Sequence, residues 1–546
     1  MSKTVVVLVA MHSYRNVPVR LIHPVLKNIP GIEPYVIFLK HCDTNLFSPP
    51  TAREERLFVD LITRLHPKLV GLSVLTPYVP MARKLNALVR KHTSALVVWG
   101  GVHPTIFPED CTTDADIVCQ GEGEGAMSDL AIRLRDGKPF QDIENLWLKD
   151  QNNHVIQNPM RPLLQDLDAM PFMASGDESF HFIESNKVTN HDPVLSEETL
   201  WIQSSRGCPY TCSFCVEAVL HKTYRGLGRL VRIRSVDNLL EEIKANLNMP
   251  RRKIKDVQFI DEIFGVKEDW CSEFEEKYKK EIGLPFEMQA NPDGVKYGAL
   301  AKLVSAGLAQ IGFGIQTGSD YMRNQLFNRP GKNTGILKLS KELEKYKIRV
   351  KYDFIINNPY DTEQTLEDGI EVFLQLPKPL YFNLFSLQYF PKYPFTDMAL
   401  KDGHIQAKDA DTETLLERTT KNWAYIPRFF PYTRKQILQN VMWLVIRNFT
   451  KDEIVKTSVF GKSFKSKVGL NYLNLKAIIL GRIYAPGGLV WRSRAFDYFI
   501  NGIKYLFRGD VKALNLKIRK VVLSELGNAK RLRDRQRFSL IGGRKW

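Results

Sequence analysis

No stretch of this chain offers the ~18 consecutive uncharged apolar residues that a membrane-spanning helix requires. The nearest approach, 477-AIILGRIYAPGGLVW-491, is interrupted by Arg482, Pro486 and a glycine pair. The N-terminal MSKTVVVLVAMHSYRN has no apolar core followed by a small-residue cleavage site, so no secretory leader is expected. Cysteine is scarce and odd in number, seven in 546 residues, and four of the seven (Cys42, Cys111, Cys119, Cys271) stand alone. That excludes a disulfide framework and points to a reducing compartment. The isolated thiols read as small buried hydrophobes. These absences predict a cytoplasmic protein, or one held peripherally at a membrane.

What is present begins with length. A chain of 546 residues predicts about three domains. In the N-terminal third, short Val/Ile-rich runs (4-TVVVLVA-10, 35-YVIFL-39, 69-LVGLSVL-75, 95-ALVVWGG-101, 116-DIVCQGE-122) alternate with amphipathic segments such as 52-AREERLFVDLITRLH-66. This rhythm predicts a doubly wound parallel sheet, which binds ligands beyond the carboxyl ends of its strands. The dinucleotide fingerprint G-x-G-x-x-G is missing after the first run, where the chain reads MHSYRN. Small residues gather at later strand ends instead: Ser73-Val74-Leu75, Gly100-Gly101 and 121-GEGEG-125. Glycines there let bare backbone approach a large flat ligand, and a serine hydroxyl can bond an aromatic nitrogen. Ordinary strand-end turns are the alternative.

The other three cysteines fall together in 206-RGCPYTCSFC-215, at C-x3-C-x2-C spacing. A structural zinc would need a fourth ligand, and His221 stands nearby without a partner. A ferredoxin-type cluster would need a fourth cysteine. Three thiolates holding a cluster with one iron left open is the remaining option, and an open metal position is what reactive sites keep.

Two resemblances follow from these residues. SxL at 73–75 with GG at 100–101 resembles the cobalamin-binding domain of methionine synthase and of cobalamin-dependent radical SAM enzymes. The strings 99-WGGVHPTIFPE-109 and 118-VCQGEGE-124 are similar to the radical SAM branch. The family's DxHxxG is absent, the loop reading 11-MHSYRN-16. The resemblance implies a Rossmann-like domain holding cobalamin through Ser73, Leu75, Thr76, Gly100, Gly101, His103, Gly121, Glu122, Gly123 and Glu124. No histidine ligand to cobalt is implied, and Arg15, Tyr14 or His12 would lie at the lower face. His103 is expected to be structural, or to touch a corrin side chain.

The cysteine triplet, with Phe214 before its last member, resembles the radical SAM signature. Downstream, 232-RIRSVDNLLEEI-243, 256-DVQFIDEIFG-265, 286-FEMQANPD-293, 312-GFGIQTGSD-320 and 352-YDFIINNPYDTEQT-365 follow in the family's order. The resemblance implies a partial (β/α)6 barrel and a 4Fe–4S cluster on Cys208, Cys212 and Cys215. Its open iron would chelate S-adenosylmethionine, and a flavodoxin or ferredoxin would donate the electron. Phe214 is expected against the adenine, with Gln316 and Ser319 at the methionine or ribose. Asp261, Glu262, Gln289 and Asn291 are expected at the barrel mouth, with barrel packing as the alternative for each. Relatives often carry Glu where Gln316 stands.

The layout expected is therefore a cobalamin-binding domain at 1–135, a linker at 136–195, a radical SAM barrel at 196–400, and a basic, mostly helical domain at 401–546. The net charge of +17 concentrates in the last of these, with fifteen Lys and Arg against four acids from Arg492 to Trp546. Phe496, Phe499, Ile500, Ile503 and Phe507 lie at helical spacing, opposite Asp497, Asn501, Lys504 and Arg508. Such a helix either caps the barrel or lies on an anionic membrane surface, presenting a lipid or other hydrophobic small molecule. Nucleic acid is not expected, since no RNA-binding module accompanies the charge. The function expected is methylation of an unactivated carbon, a 5′-deoxyadenosyl radical abstracting hydrogen and methylcobalamin supplying the methyl group. A ring-forming cyclase or a rearrangement with the same cofactors is the first alternative, and a non-catalytic cobalamin sensor or carrier the second.

Overall fold

The computed structural model describes residues 3–446 apart from 46, 251, 266 and 423–432. The basic tail 492–546 and the amphipathic pattern at 496–507 lie outside the described residues. Two compact units emerge among the described residues, one of Met1–Gln289, Val295–Ala309 and Gln388–Lys421, the other of Ala290–Gly294, Gln310–Leu387 and the described residues after Lys421.

In the first unit, the β-branched runs become β1 (Thr4–Met11), β2 (Ile32–Leu39), β3 (Leu69–Ser73), β4 (Leu96–Gly100) and β5 (Ile117–Cys119). All are parallel, in the spatial order β5-β4-β3-β1-β2. Successive residues of β1 enter different cores. Val7 and Val9 pack with Phe58, Leu61, Leu85 and Trp99. Val6 and Leu8 pack with Leu26, Val98, Met127 and Leu130. A sheet buried on both faces needs continuous apolar runs rather than alternation, which is what these strands show. The strand order reverses at β1 and β3, and the crevice for a ligand opens at their carboxyl ends. The helix Val17–Lys27 enters that crevice, started by Asn16, whose side chain accepts the Val19 N–H at 3.2 Å.

The segment 136–195 does more than link. β6 (Leu146–Lys149) and β7 (Val155–Gln157) extend the sheet antiparallel beyond β5. β8 (Phe180–Glu184) adds parallel to β2, and β9 (Lys187–Thr189) pairs antiparallel with it. The additions cover both open edges of the parallel core. At three to five residues each they are too short to carry a readable period.

The same unit then holds β10 (Thr199–Ile202), β13 (Asp256–Phe259) and β14 (Phe286–Ala290), all parallel. Helices Val236–Leu247 and Glu268–Glu281 connect these strands. Between β10 and the first helix, β11 (Ser205–Arg206) and β12 (Arg232–Ile233) close an antiparallel pair around the cysteine loop. Helix Tyr297–Ala306 ends at Gly307 in the left-handed conformation, as its sequence predicts. The second unit repeats the strand–helix theme with β15 (Leu308–Gln316) from Gln310 on, β16 (Arg349–Ile356) and β17 (Tyr381–Ser386), again parallel. Among the described residues its helices are Asn333–Lys345, Glu363–Gln375 and Arg434–Ile446. The architecture is α/β throughout, and among the described residues no helix is long and apolar enough to cross a membrane.

Candidate cofactor site

At the carboxyl ends of β1, β3, β4 and β5 lies a cavity of about 850 Å³, counted out to its open mouth. Its walls are mostly bare backbone and aliphatic carbon: Gly71, Gly100, Gly101, Gly121 and Gly123 face Val17, Val19, Leu21 and Ile22 of the entering helix. Gly101 has φ +103°, and a Cβ there would stand 3.1 Å from the Val74 carbonyl oxygen. At Gly100 a Cβ would first meet Cys119 Cβ, at 3.8 Å, so a side chain would fill the cavity rather than clash. The polar wall groups are Ser73, Cys119, Glu122, Glu124, Gln203 and Arg206. Ser73 Oγ accepts from Asn16 Nδ2 at 3.2 Å, and burial pushes the Cys119 thiol up to about 12, keeping it neutral. A large, flat, mainly apolar ligand with a few polar edges fits such a space.

The acidic residues of GEGEG turn out to be spoken for. Arg206 donates from Nη1 to Glu122 Oε1 at 3.0 Å and from Nη2 to Glu124 Oε1 at 2.6 Å. Arg232 donates to Glu122 Oε1 at 2.7 Å, and the Leu164 N–H to Glu122 Oε2 at 2.8 Å. Burial would raise the Glu122 carboxyl, but the two arginines beside it hold it below the usual range. Gly121 and Gly123 of that turn and its two ion-paired acids all line the cavity.

Arg206 leads directly into the cysteine loop. Gly207 turns at φ +86°, and Cys208 follows, its carbonyl in hydrogen-bond contact with His221 Nε2 at 2.8 Å. His221 is thus occupied with backbone, not poised as a fourth metal ligand. The Cys215 N–H donates to the Cys212 carbonyl at 2.9 Å, and the Phe395 N–H to that of Ser213 at 3.0 Å. Burial first, and the nearby Glu217, Cys215 and Cys212, push the Cys208 thiol up to about 12. Three thiols gathered on one tight loop suit an iron–sulfur cluster that would neutralise their mutual repulsion on deprotonation. Beneath the loop, buried Asp261 accepts the Ser204 N–H at 3.0 Å and the Ser204 hydroxyl at 2.8 Å, with Ser205 Oγ also donating. Its carboxylate anchors the strand end. Glu262 is accessible but ringed by protein, and that desolvation, with Glu217 and Asp261 nearby, raises its carboxyl to about 7. Gln289 is the penultimate residue of β14, and its carbonyl accepts the Phe264 N–H at 3.0 Å. Phe214 is half-buried on the loop.

In the second unit, Gln316 closes β15 at φ +66°, and its Nε2 lies where a side chain on Gly314 would go. Arg329 reaches the same place, Nε donating to the Gly314 carbonyl at 3.1 Å. Ser319 is buried, with Oγ accepting the Met322 N–H at 3.2 Å. Fully buried Arg323 holds this turn through the Ile315 carbonyl at 3.2 Å and Asn333 Oδ1 at 2.6 Å. Asn291 is buried, its Oδ1 accepting the Asp293 N–H at 3.2 Å.

Several expected residues sit away from the cavity wall. Arg15 stacks 4.2 Å above Trp201 and pairs with Glu197, which also accepts from Tyr14 Oη at 2.7 Å. Tyr14 in turn stacks on His41 at 3.9 Å. His12 is buried at φ +56° against Tyr78 and Phe47. Long-range partners have drawn the 12–15 loop off the crevice, and the cavity wall is Val17–Ile22 in its place. His103 is buried against Phe107, 4.9 Å between ring centres, and burial lowers it to about 4. Leu75 is exposed and Thr76 buried in a short 3₁₀ turn, neither on the wall. Gln203, Arg206, Arg232 and Arg329 were not singled out from sequence. Only the position of Arg206 and Gln203 just ahead of the cysteines offered a clue.

A B12 binding domain model matches residues 6–131, and a Radical SAM superfamily model matches residues 202–373. An uncharacterized methyltransferase of Pyrococcus horikoshii is 24% identical, over 58% of this chain and 67% of its own length. The anaerobic magnesium-protoporphyrin IX monomethyl ester cyclase of Rubrivivax gelatinosus is 25% identical, over 75% of this chain and 74% of its own. In fold, the chain is similar to the cobalamin-dependent S-adenosylmethionine radical enzyme OxsB. The TM-score is 0.60 at 15% identity, covering 100% of this chain and 82% of that one. The chain carries a B12 binding domain and a Radical SAM domain, and its cofactors are cobalamin, a 4Fe–4S cluster and S-adenosylmethionine.

Proposed function

We propose that this enzyme methylates an unactivated carbon of a small-molecule substrate. The observation that carries the reading is a shared wall. Gln203 and Arg206, on the approach to the first cysteine, line the same cavity as the strand-end glycines. Chemistry at the cysteine loop therefore takes place beside the corrin space. When bound, the cofactors supply a hydrogen-abstracting radical and a methyl group. The chain's own residues hold, orient and exclude water. Cys208, Cys212 and Cys215 would ligate the cluster, and Asp261 fixes the strand end from which their loop departs. Gly100, Gly101, Gly121 and Gly123 would receive the corrin, and Ser73 would offer its hydroxyl to a polar edge. Phe214, Gln289 and Glu262 are assigned to S-adenosylmethionine or substrate. The proposed layout keeps residues 1–135 for cobalamin and 196–400 for the radical chemistry.

The test supplies S-adenosylmethionine with a deuterated methyl group and follows the product by mass. One labelled methyl per turnover is expected; product without label refutes methyl transfer. A second reading, ring closure with the same cofactors, is favoured by the cyclase relative, which aligns over 75% of the chain. It predicts an unlabelled product with a new ring. An acidic one-electron donor such as flavodoxin or ferredoxin would reduce the cluster. A lipid or other hydrophobic substrate, met at a membrane surface by the basic residues 492–546, completes the proposal.

A further inference from the structure

We propose that Arg206 is a positioning residue that couples the cobalamin cavity to the cysteine loop, so that filling either site strengthens the other. It holds whichever bond the enzyme makes. The side chain of Arg206 forms part of the cavity wall, and its guanidinium bridges Glu122 at 3.0 Å and Glu124 at 2.6 Å. Those two acids belong to the turn that supplies Gly121 and Gly123 to the same wall. The backbone of Arg206 is paired with Arg232 across β11 and β12, and two residues later comes Cys208. Arg232 closes the quartet on Glu122 at 2.7 Å.

Two arginines and two glutamates balance in charge, and their side chains are all less than one-fifth exposed. Buried charges of this kind tolerate little displacement, because an unpaired member would stand desolvated. Between Arg206 and Cys208 lies Gly207, at φ +86° and with no room for a Cβ, which would stand 2.4 Å from the Leu230 carbonyl oxygen. The quartet joins turn 121–125 and the strand that leads to Cys208 into one body. Whichever cofactor binds first orders that body, and the second meets it already ordered. Linkage requires the benefit to be reciprocal.

The experiment titrates the full chain anaerobically with hydroxocobalamin, before and after reconstitution of its iron–sulfur cluster. Cluster-loaded wild type is expected to bind at least about fivefold more tightly than the cluster-free form, the lower end of ordinary coupling. Arg206→Met should bring that ratio to near one, while Arg206→Lys, which keeps the charge but loses the fork, restores part of it. Glu124→Gln removes one arm and should give an intermediate ratio; it decides the matter if Arg206→Met does not fold. A merely structural role for Arg206 would weaken both forms equally and leave the ratio intact. A wild-type ratio of one, or an undiminished ratio in Arg206→Met and Glu124→Gln, overturns the proposal.

Discussion

Gly207 and Gly226 offer a matched pair for measuring how tightly the cysteine loop is held. Their backbones are nearly the same, φ +86° and +83°, but their surroundings are opposite. A Cβ at Gly226 meets nothing within 4 Å, whereas one at Gly207 would lie 2.4 Å from the Leu230 carbonyl oxygen and 3.0 Å from its carbon. Replacing either by Ala carries the left-handed penalty, roughly 1–2 kcal/mol. Only Gly207→Ala must also open the backbone, by about 0.6 Å to regain a 3.0 Å contact. Overpacking of this sort costs about 1–3 kcal/mol more. Gly226→Ala should therefore lose about 1–2 kcal/mol and Gly207→Ala about 2–5 kcal/mol. The functional gap should be wider than the stability gap, since the displaced backbone carries Cys208. Misplacing reacting groups by about 1 Å can cost on the order of 100-fold in rate. The assay is iron bound per chain after anaerobic reconstitution, together with the rate of S-adenosylmethionine cleavage, in both variants. Wild-type iron content and cleavage in Gly207→Ala would refute the claim that this pivot has no room for a side chain.

Burial holds His12, His23 and His103 at about 4 in the folded protein, against about 6.5 when unfolded. Lowering the pH through 6.5 lets the unfolded chain take up protons that the folded one refuses, so stability falls until about pH 4 and then levels. About 2 kcal/mol per histidine should be gone at pH 5, read as a lower urea midpoint than at pH 7; an unchanged midpoint contradicts it. Arg20 and Asp192, both buried, pair at 2.7 Å. Asp192→Ala should cost about 3–5 kcal/mol by stranding the guanidinium, measured by denaturant unfolding. Cys208→Ala, Cys212→Ala and Cys215→Ala should each abolish S-adenosylmethionine cleavage yet leave hydroxocobalamin binding measurable by absorbance. Loss of all cobalamin binding in these variants would place the cavity elsewhere.

What could be read directly from the amino-acid order was local. The C-x3-C-x2-C spacing, the strand-end glycines, and the Val/Ile runs each lie within a dozen residues, and short-range chemistry announces itself at that scale. The strands β6–β9 were not legible, being too short for a period, and their place depends on open edges of a sheet that exists only once folded.

The candidate site divides in the same way. Glu122 and Glu124 line the cavity as expected of cofactor residues, while their carboxylates pair with Arg206, 84 and 82 positions onward. Arg15, expected beneath the cobalt, is held by Glu197, 182 residues away. A charged side chain in a folded interior goes to whichever opposite charge the topology delivers, and no local pattern encodes that distance. Sequence alone determined which atoms could bind iron and where bare backbone would line a flat ligand. Tertiary structure alone decided that the arginine two residues before Cys208 lines the cavity with those glycines.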